Sequence, residues 1–228
     1  MSIPEGKFVA AKRTRAERAG ISREQVLDAA LVFADREGVS ALSMRKLGAE
    51  LGVEAMTLYH YVPNKDALLD GMVERVMSQA DAGFGDGPWR LALGDYARAL
   101  RGALSAHPGA LPLIATRPAV TPRTLQTAER GLKLLVDSGF ELGTALDALN
   151  ALTLFVVAHA NSEARTTPVN EAGDAGSVDF LKTLDPAEFP LIMRAAQTGA
   201  GTDDSARFEF AIAAMIHGFA AAAGLSAS

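Results

Sequence analysis

Apolar residues recur at helical spacing along most of the chain, and no convincing strand-like alternation of apolar and polar residues is found. Ser22 followed by Gln25 is a capping-box signature that predicts a helix over 22–37. Two short helices are predicted next, over 43–51 and 54–59. Each segment is apolar on one side only, so we predict an all-α protein whose helices pack through those sides.

Longer helices are predicted in the rest of the chain. One follows Asn64 and ends near residue 82, where the glycine-rich segment 82–88 marks the clearest break in composition. Shorter helical segments are predicted up to residue 116 and after Asp185. Segment 163–184 is rich in Gly, Thr, Asp and Ala and is predicted to be a mobile loop. The main C-terminal helices are predicted over 88–106, 121–137, 142–162 and 203–222.

Charge is divided unevenly along the chain, although the whole carries a net charge of -5. Residues 1–65 contain ten Lys and Arg against eight Asp and Glu, a net charge of +2, which leaves -7 for the remainder. A basic end on an acidic protein is expected where only that end contacts phosphate groups.

The composition also limits the cellular compartment and the kinds of reactive site that are expected. Cysteine is absent, so disulfides, thiol nucleophiles and Cys-based metal sites are excluded. The most apolar segment, 145–160, contains Asp147, Asn150 and His159, and we interpret it as a buried or subunit-facing helix with no membrane role. The N-terminus lacks the apolar core of a signal peptide, so a cytoplasmic protein is expected.

Residues 42–65 have the pattern of a helix-turn-helix, with two short helices meeting at a glycine turn. Gly48 allows the helices to approach closely, and apolar residues such as Leu47 and Leu58 form a small core. The residues left for the outer surface carry hydroxyl groups, ring nitrogens and small apolar groups, which suit base edges and phosphates. These outer residues are Ala55, Met56, Thr57, Tyr59, His60 and Tyr61, with Arg45, Lys46 and Lys65 near the helix starts.

Several roles remain open at this point. Either Tyr59 or Tyr61 could pack in the core, because a short helix must bury some of its aromatic residues. Arg45 could contact a base or a phosphate. The basic arm could enter a minor groove or be a disordered, solvated tail; its cations are Lys12, Arg13, Arg15 and Arg18.

Segment 22–76 resembles the DNA-binding domain of the TetR family of bacterial regulators. The resemblance rests on Gly52-Val53, on the run from Thr57 to Val62, and on Asn64-Lys65 followed by Ala67-Leu68-Leu69. It implies a set of DNA-facing side chains, in which Thr57, His60 and Tyr61 lie nearest to the DNA. The full set is Arg45, Thr57, Tyr59, His60, Tyr61 and Lys65.

Segment 88–162 resembles the C-terminal domain of the tetracycline-repressor type. Thr116-Arg117-Pro118, Gly139-Phe140 and an apolar helix with Phe155 carry this resemblance. It implies a helical domain that binds a small molecule and forms a homodimer through helices 142–162 and 203–222. The expected division is therefore an arm at 1–20, a DNA-binding domain at 21–66 and a ligand-binding domain at 67–228.

The tetracycline chemistry of that family does not carry over. Four matching positions hold Asp81, Leu113, Glu129 and Leu154, and only Thr116 remains of the ligand-facing set. A different and more apolar effector is therefore expected, with no metal and no cofactor. The candidate pocket residues, any of which could instead be core, are Tyr96, Leu100, Leu113, Thr116, Leu132, Phe155 and His159, with Leu135, Met72 and Met77 nearby.

Together these features predict a regulator that binds a palindromic operator as a dimer and is released by a small molecule. The resemblance implies that it is a repressor, and the residues themselves leave repression and activation open. One alternative is an effector-independent DNA-binding protein, which a filled C-terminal core would favour. Another is an enzyme, which histidines converging with a carboxylate in one cavity would favour. The sequence offers little for catalysis, since its four histidines are scattered and no metal-ligand cluster is evident; they are His60, His107, His159 and His217.

Overall fold

The computed structural model describes residues 20–85, 87–117, 119–166, 178–201 and 203–225. The basic arm and the middle of the predicted loop lie outside these residues. Across the described residues all regular structure is helical, as predicted.

Three helices form the N-terminal part. Helix α1 spans Arg23–Glu37, α2 spans Met44–Glu50 and α3 spans Ala55–Leu58. Ser22 and Gln25 form the predicted capping box at the start of α1. The three helices bury their apolar sides in a common core that includes the side chains Val26, Leu31, Leu47 and Leu58.

Helix α4, Lys65–Met77, leads from this part to the next. The side chain of Asn64 accepts a hydrogen bond of 2.8 Å from the backbone N–H of Ala67 and caps the helix as predicted. The α-helix ends earlier than predicted, because the chain tightens into a 3₁₀ helix over Ser78–Gly83. Both Met72 and Val76 on α4 are fully buried.

The C-terminal part contains the longer helices. They are α5 (Trp89–Ala106), α6 (Leu111–Ile114), α7 (Pro122–Asp137), α8 (Leu142–Thr166), α9 (Val178–Leu181), α10 (Pro190–Thr198) and α11 (Asp204–Ala222). The prediction of one loop over 163–184 is wrong at both ends, where α8 continues to Thr166 and α9 forms a turn of helix. Helix α10 begins later than predicted, because the Asp185 side chain accepts a hydrogen bond from the Ala187 N–H and forms a turn there.

One continuous hydrophobic core joins the two parts. A 3₁₀ helix over Pro108–Ala110 packs on the end of α1, where the Asp35 carboxylate accepts a hydrogen bond of 2.9 Å from the Gly109 N–H. Nδ1 of His107 lies 2.9 Å from the other oxygen of Asp35. The N-terminal part is therefore docked onto the larger part by direct contacts.

Helix α8 is strongly apolar over most of its length. By length and composition Leu142–Ala164 could cross a membrane, with a mean hydropathy of 1.4. Core helices of water-soluble proteins pass the same test. Asp147 and Asn150 lie within this segment, and the helix packs against α5, α6, α7 and α11. Only 33% of an 18-residue window of this segment is buried within the chain, so an apolar surface remains exposed.

Candidate nucleic-acid interface and ligand cavity

Helices α2 and α3 form the predicted helix-turn-helix. The backbone N–H of Val53 donates a hydrogen bond of 2.9 Å to the carbonyl oxygen of Gly48, which closes the turn. A Cβ atom on Gly48 would lie 2.8 Å from the Val53 carbonyl oxygen, so the close approach requires glycine. Leu47 and Leu58 are fully buried between the helices.

Most of the predicted DNA-facing residues are accessible. Arg45, Lys46, His60 and Lys65 are exposed, and so is Tyr59, at 42%. Ala55 and Tyr61 are half-buried.

Thr57 is the exception, because only 8% of it is exposed. The expectation that it belongs to the outer surface is therefore wrong for this conformation. Helix α3 is a single turn, and its inward side takes both Thr57 and Leu58.

The predicted DNA-facing cations differ from Arg36 of the N-terminal part in their ion-pair partners. Arg36 is paired with Glu37 and Glu50. In the described parts of the chain, Arg45 and Lys65 form no salt bridge, and the Lys46 ammonium lies 5.9 Å from the centre of the Phe33 ring. Positive charge that is not neutralised by neighbouring carboxylates is suited to phosphate groups.

A cavity of about 210 Å³ opens where α4, α5, α7 and α8 meet. Its wall combines aromatic and aliphatic side chains with hydroxyl and amide groups. The lining residues are Met77, Phe84, Tyr96, Ala119, Thr124, Thr127, Ala128, Leu149, Asn150 and Thr153.

An aromatic pair dominates one side of this cavity. The ring of Phe84 stacks on that of Tyr96, with centroids 4.5 Å apart and an interplanar angle of 17°. The Tyr96 hydroxyl lies 3.1 Å from Oγ1 of Thr153. Burial raises the pKa of Tyr96, and the hydrogen bond with Thr153 opposes the rise. The phenol is therefore neutral near pH 7 and can share a hydrogen bond with a ligand.

The carboxylate of Asp81 lies behind the cavity wall, next to the lining residue Thr127. The Thr127 hydroxyl donates a hydrogen bond of 3.1 Å to the carboxylate of Asp81, which is also paired with Arg130. These contacts join the 3₁₀ helix after α4 to α7.

Of the seven residues predicted to bind a ligand, Tyr96 lines this cavity. Met77, expected below the pocket, lines it as well. Leu100, Leu113, Leu135 and Met72 are instead buried in the hydrophobic core, and Leu132 packs against it. They do not line this cavity, because helical periodicity identifies an apolar side without showing where packing leaves a gap, and their role in ligand binding stays a prediction.

Thr116, Phe155 and His159 lie elsewhere. Thr116 is exposed, and its hydroxyl donates a hydrogen bond of 2.9 Å to the carbonyl oxygen of Pro112. Phe155 and His159 pack with Phe208 of α11, and Nε2 of His159 lies 3.1 Å from a carboxylate oxygen of Asp204. A histidine thus meets a carboxylate, as the enzyme alternative requires, but outside the cavity that Tyr96 lines.

The polar lining of the cavity was missed. Thr124 and Thr127 are three residues apart on α7, as are Asn150 and Thr153 on α8. This spacing places each pair on one side of its helix. Two such polar pairs within otherwise apolar helix sides are the signal that could have located the cavity.

These features define a helix-turn-helix DNA-binding protein with a larger helical domain that contains a cavity. The family model of bacterial regulatory proteins of the tetR family matches residues 26–72. The model of the tetracyclin repressor-like C-terminal domain matches residues 83–223. The chain belongs to the TetR family and is a transcriptional regulator.

Characterised relatives and solved structures agree with this assignment. The HTH-type transcriptional repressor DrrR1 of Streptomyces coeruleorubidus is 32% identical over 82% of this chain and 68% of its own length. Tetracycline repressor protein class A from transposon 1721, of Escherichia coli, is 33% identical over 86% and 88%. Apo ActR of Streptomyces coelicolor is 29% identical, with a TM-score of 0.76 over 90% of this chain and 97% of ActR. ActR has also been solved in complex with actinorhodin, with a TM-score of 0.73 and 28% identity over 90% and 99%.

Proposed function

We propose that this protein is a cytoplasmic, dimeric repressor that binds a palindromic operator and is released when a small molecule enters the cavity. The path of α4 is the observation that carries the proposal. Its first residue, Lys65, is an exposed cation beside the helix-turn-helix, and its last residue, Met77, lines the cavity. One helix therefore connects the two sites.

The exposed apolar surfaces of α8 and α11 support a dimer. Leu142, Leu146 and Leu154 on α8 are 58%, 41% and 69% exposed, and Phe210 on α11 is 76% exposed. Large apolar side chains grouped on neighbouring helices are characteristic of subunit interfaces. A dimer with twofold symmetry would bind two half-sites about 34–36 Å apart, which is one turn of DNA.

The cavity wall favours an amphipathic effector. Phe84 and Tyr96 offer aromatic surface, while Thr124, Asn150 and Thr153 offer hydroxyl and amide groups. We infer an aromatic molecule that carries oxygen substituents, which is less apolar than the sequence alone indicated. ActR, whose fold is similar, has been solved with actinorhodin bound, so this compound is a reasonable first probe.

Arg117 offers a route from the cavity to the DNA-binding part. Its guanidinium group lies 2.6 Å from a carboxylate oxygen of Asp66 and 2.6 Å from one of Asp70, both on α4. Arg117 precedes the cavity residue Ala119 by two positions. An effector that displaces this segment would shift α4 and change the spacing of the two DNA-binding parts. Coupling of this kind is typically about 1–3 kcal/mol.

Fluorescence anisotropy with DNA that flanks the protein's own gene tests the DNA-binding role. We expect tight, sequence-selective binding by the wild type. The double substitution Arg45→Ala/Lys65→Ala should weaken it by about tenfold or more and, if both residues contact phosphates, should reduce the salt dependence by about two charges.

Lys133→Ala is the matched control, since Lys133 is an exposed cation on α7, paired with Asp137. It should bind DNA as the wild type does. Equal losses in the control and the double variant would place the DNA contacts elsewhere on the surface. If the wild type binds the flanking DNA no more tightly than random DNA, a genome-wide selection is the next step to find the operator.

Thr153→Val tests the cavity. This substitution preserves side-chain shape but removes the hydroxyl beside Tyr96, and we expect effector affinity to fall about three- to tenfold. The measurement is the actinorhodin concentration that halves operator binding. Thr116→Val, an identical substitution outside the cavity, should leave that concentration unchanged.

If Thr116→Val raises the actinorhodin concentration that halves operator binding and Thr153→Val does not, the effector site lies at the exposed surface around Thr116. If neither actinorhodin nor a panel of oxygenated aromatic compounds releases the DNA, the effector-independent alternative is favoured instead. Purified protein that turns over such a compound would support the enzyme alternative.

A further inference from the structure

Three side chains that commonly bind metal ions meet between α8 and α11. His159 and Glu163 are one helical turn apart on α8, and Asp204 is the first residue of α11. Nε2 of His159 lies 3.1 Å from Oδ2 of Asp204 and 3.9 Å from Oε2 of Glu163. One ligand atom from each residue lies within 4.8 Å of the other two.

Two of these atoms are buried and have no hydrogen-bond partner among the described residues: Nε2 of His159 and Oδ2 of Asp204. The His159 side chain is only 8% exposed and packs against the ring of Phe208, with centroids 5.1 Å apart. The two atoms lie 3.1 Å apart without forming a hydrogen bond, and Nη2 of Arg101 lies 3.6 Å from Oδ2 of Asp204. Buried polar atoms in folded proteins are nearly always hydrogen-bonded, so this pair has capacity for a further partner such as an ion.

We propose that His159, Glu163 and Asp204 bind one divalent transition-metal ion of the zinc type, which ties the end of α8 to the start of α11. Two ligand atoms that are each about 2.1 Å from a zinc ion lie about 3–3.5 Å apart. The 3.1 Å separation between His159 and Asp204 fits this geometry. To complete the set, Glu163 must turn Oε2 from Arg101, which now donates a hydrogen bond of 3.1 Å to it, toward the ion. Water can take the remaining position.

The surrounding charges select the kind of ion. The Arg101 guanidinium hydrogen-bonds to both carboxylate oxygens of Glu163, and Arg207 lies 2.7 Å from the other oxygen of Asp204. Two arginines thus balance two carboxylates. Calcium and magnesium depend on several oxygen ligands with excess negative charge, whereas zinc binds imidazole strongly.

A surface depression of about 300 Å³ borders Glu163 and is also lined by Arg101 and Phe208. The sequence analysis found no metal-ligand cluster, because Asp204 comes from a helix distant in sequence.

Zinc titration of the full-length protein tests the proposal. The protein is first dialysed against EDTA, and binding is followed by isothermal titration calorimetry. Cobalt in place of zinc gives an absorption spectrum that reports coordination directly. We expect one ion per protomer, and a loss of affinity of tenfold or more in both His159→Gln and Asp204→Asn.

His60→Gln is the matched control, since His60 is exposed in the DNA-binding part, and it should bind zinc as the wild type does. Circular dichroism without metal checks that each variant folds. If His159→Gln does not fold, Asp204→Asn decides, because the Asp204 side chain is 37% exposed. Absence of stoichiometric binding by the wild type, or equal affinity in wild type and folded variants, overturns the proposal. Neither result bears on operator binding.

Discussion

Phe208→Ala is expected to destabilise the protein by about 3–5 kcal/mol, because it removes a large aromatic side chain from the packed core. Phe208 is fully buried, and its ring contacts those of Phe155 and His159. The guanidinium of Arg101 lies 4.6 Å from the ring centre, so the substitution also removes a cation–π contact. Thermal unfolding should show a decrease in Tm of about 6–20 °C at a fixed protein concentration.

Phe210→Ala on the same helix is the control. Phe210 is 76% exposed, so its removal leaves no cavity in the protomer. If α11 forms the proposed subunit interface, this variant should instead weaken self-association, which analytical ultracentrifugation measures. A Phe208→Ala protein with an unchanged Tm would contradict the packing between α8 and α11.

Gly109→Ala should disrupt the docking of the DNA-binding part. A Cβ atom at Gly109 would lie 2.1 Å from the carbonyl oxygen of Ala34, on the last turns of α1. The obstacle is backbone, which cannot rotate away as a side chain can. We expect a destabilisation of about 1–3 kcal/mol and a Tm lower by about 2–4 °C for each kcal/mol.

Gly102→Ala provides the comparison for that result. A Cβ atom at Gly102 meets nothing within 4 Å, and the residue lies in the exposed part of α5. Alanine is favoured over glycine in a helix by about 0.5–1 kcal/mol, so this variant should be slightly more stable. If both substitutions raise the Tm, the close contact between α1 and the segment at Pro108–Ala110 is absent in solution.

Local signals explain why the elements were predictable. The capping residues Ser22 and Asn64 hydrogen-bond to nearby backbone N–H groups, so their effect is contained in a few neighbouring residues. Gly48 is similar, since it forms its turn with a residue five positions away. Segment 163–184 was harder, because weak periodicity did not reveal that α8 extends into it.

The cavity wall depends on residues distant in sequence, so the sequence located Tyr96 and Met77 in it and missed its polar residues. Leu100 and Leu113 have the apolar character of pocket residues, yet both are buried in the hydrophobic core. Thr153 lines the cavity because α5, carrying Tyr96, passes beside it. The relative placement of whole helices decides which apolar side chains are in contact and where a cavity remains.

The sequence by itself determined the helical class, the helix-turn-helix and most of its exposed cations, because periodicity, capping and turn formation act over a few residues. Only the tertiary structure decided that Thr57 is buried, that threonines line the cavity and that His159 meets Asp204. Those contacts join residues from separate helices, and their energies depend on packing across the whole core.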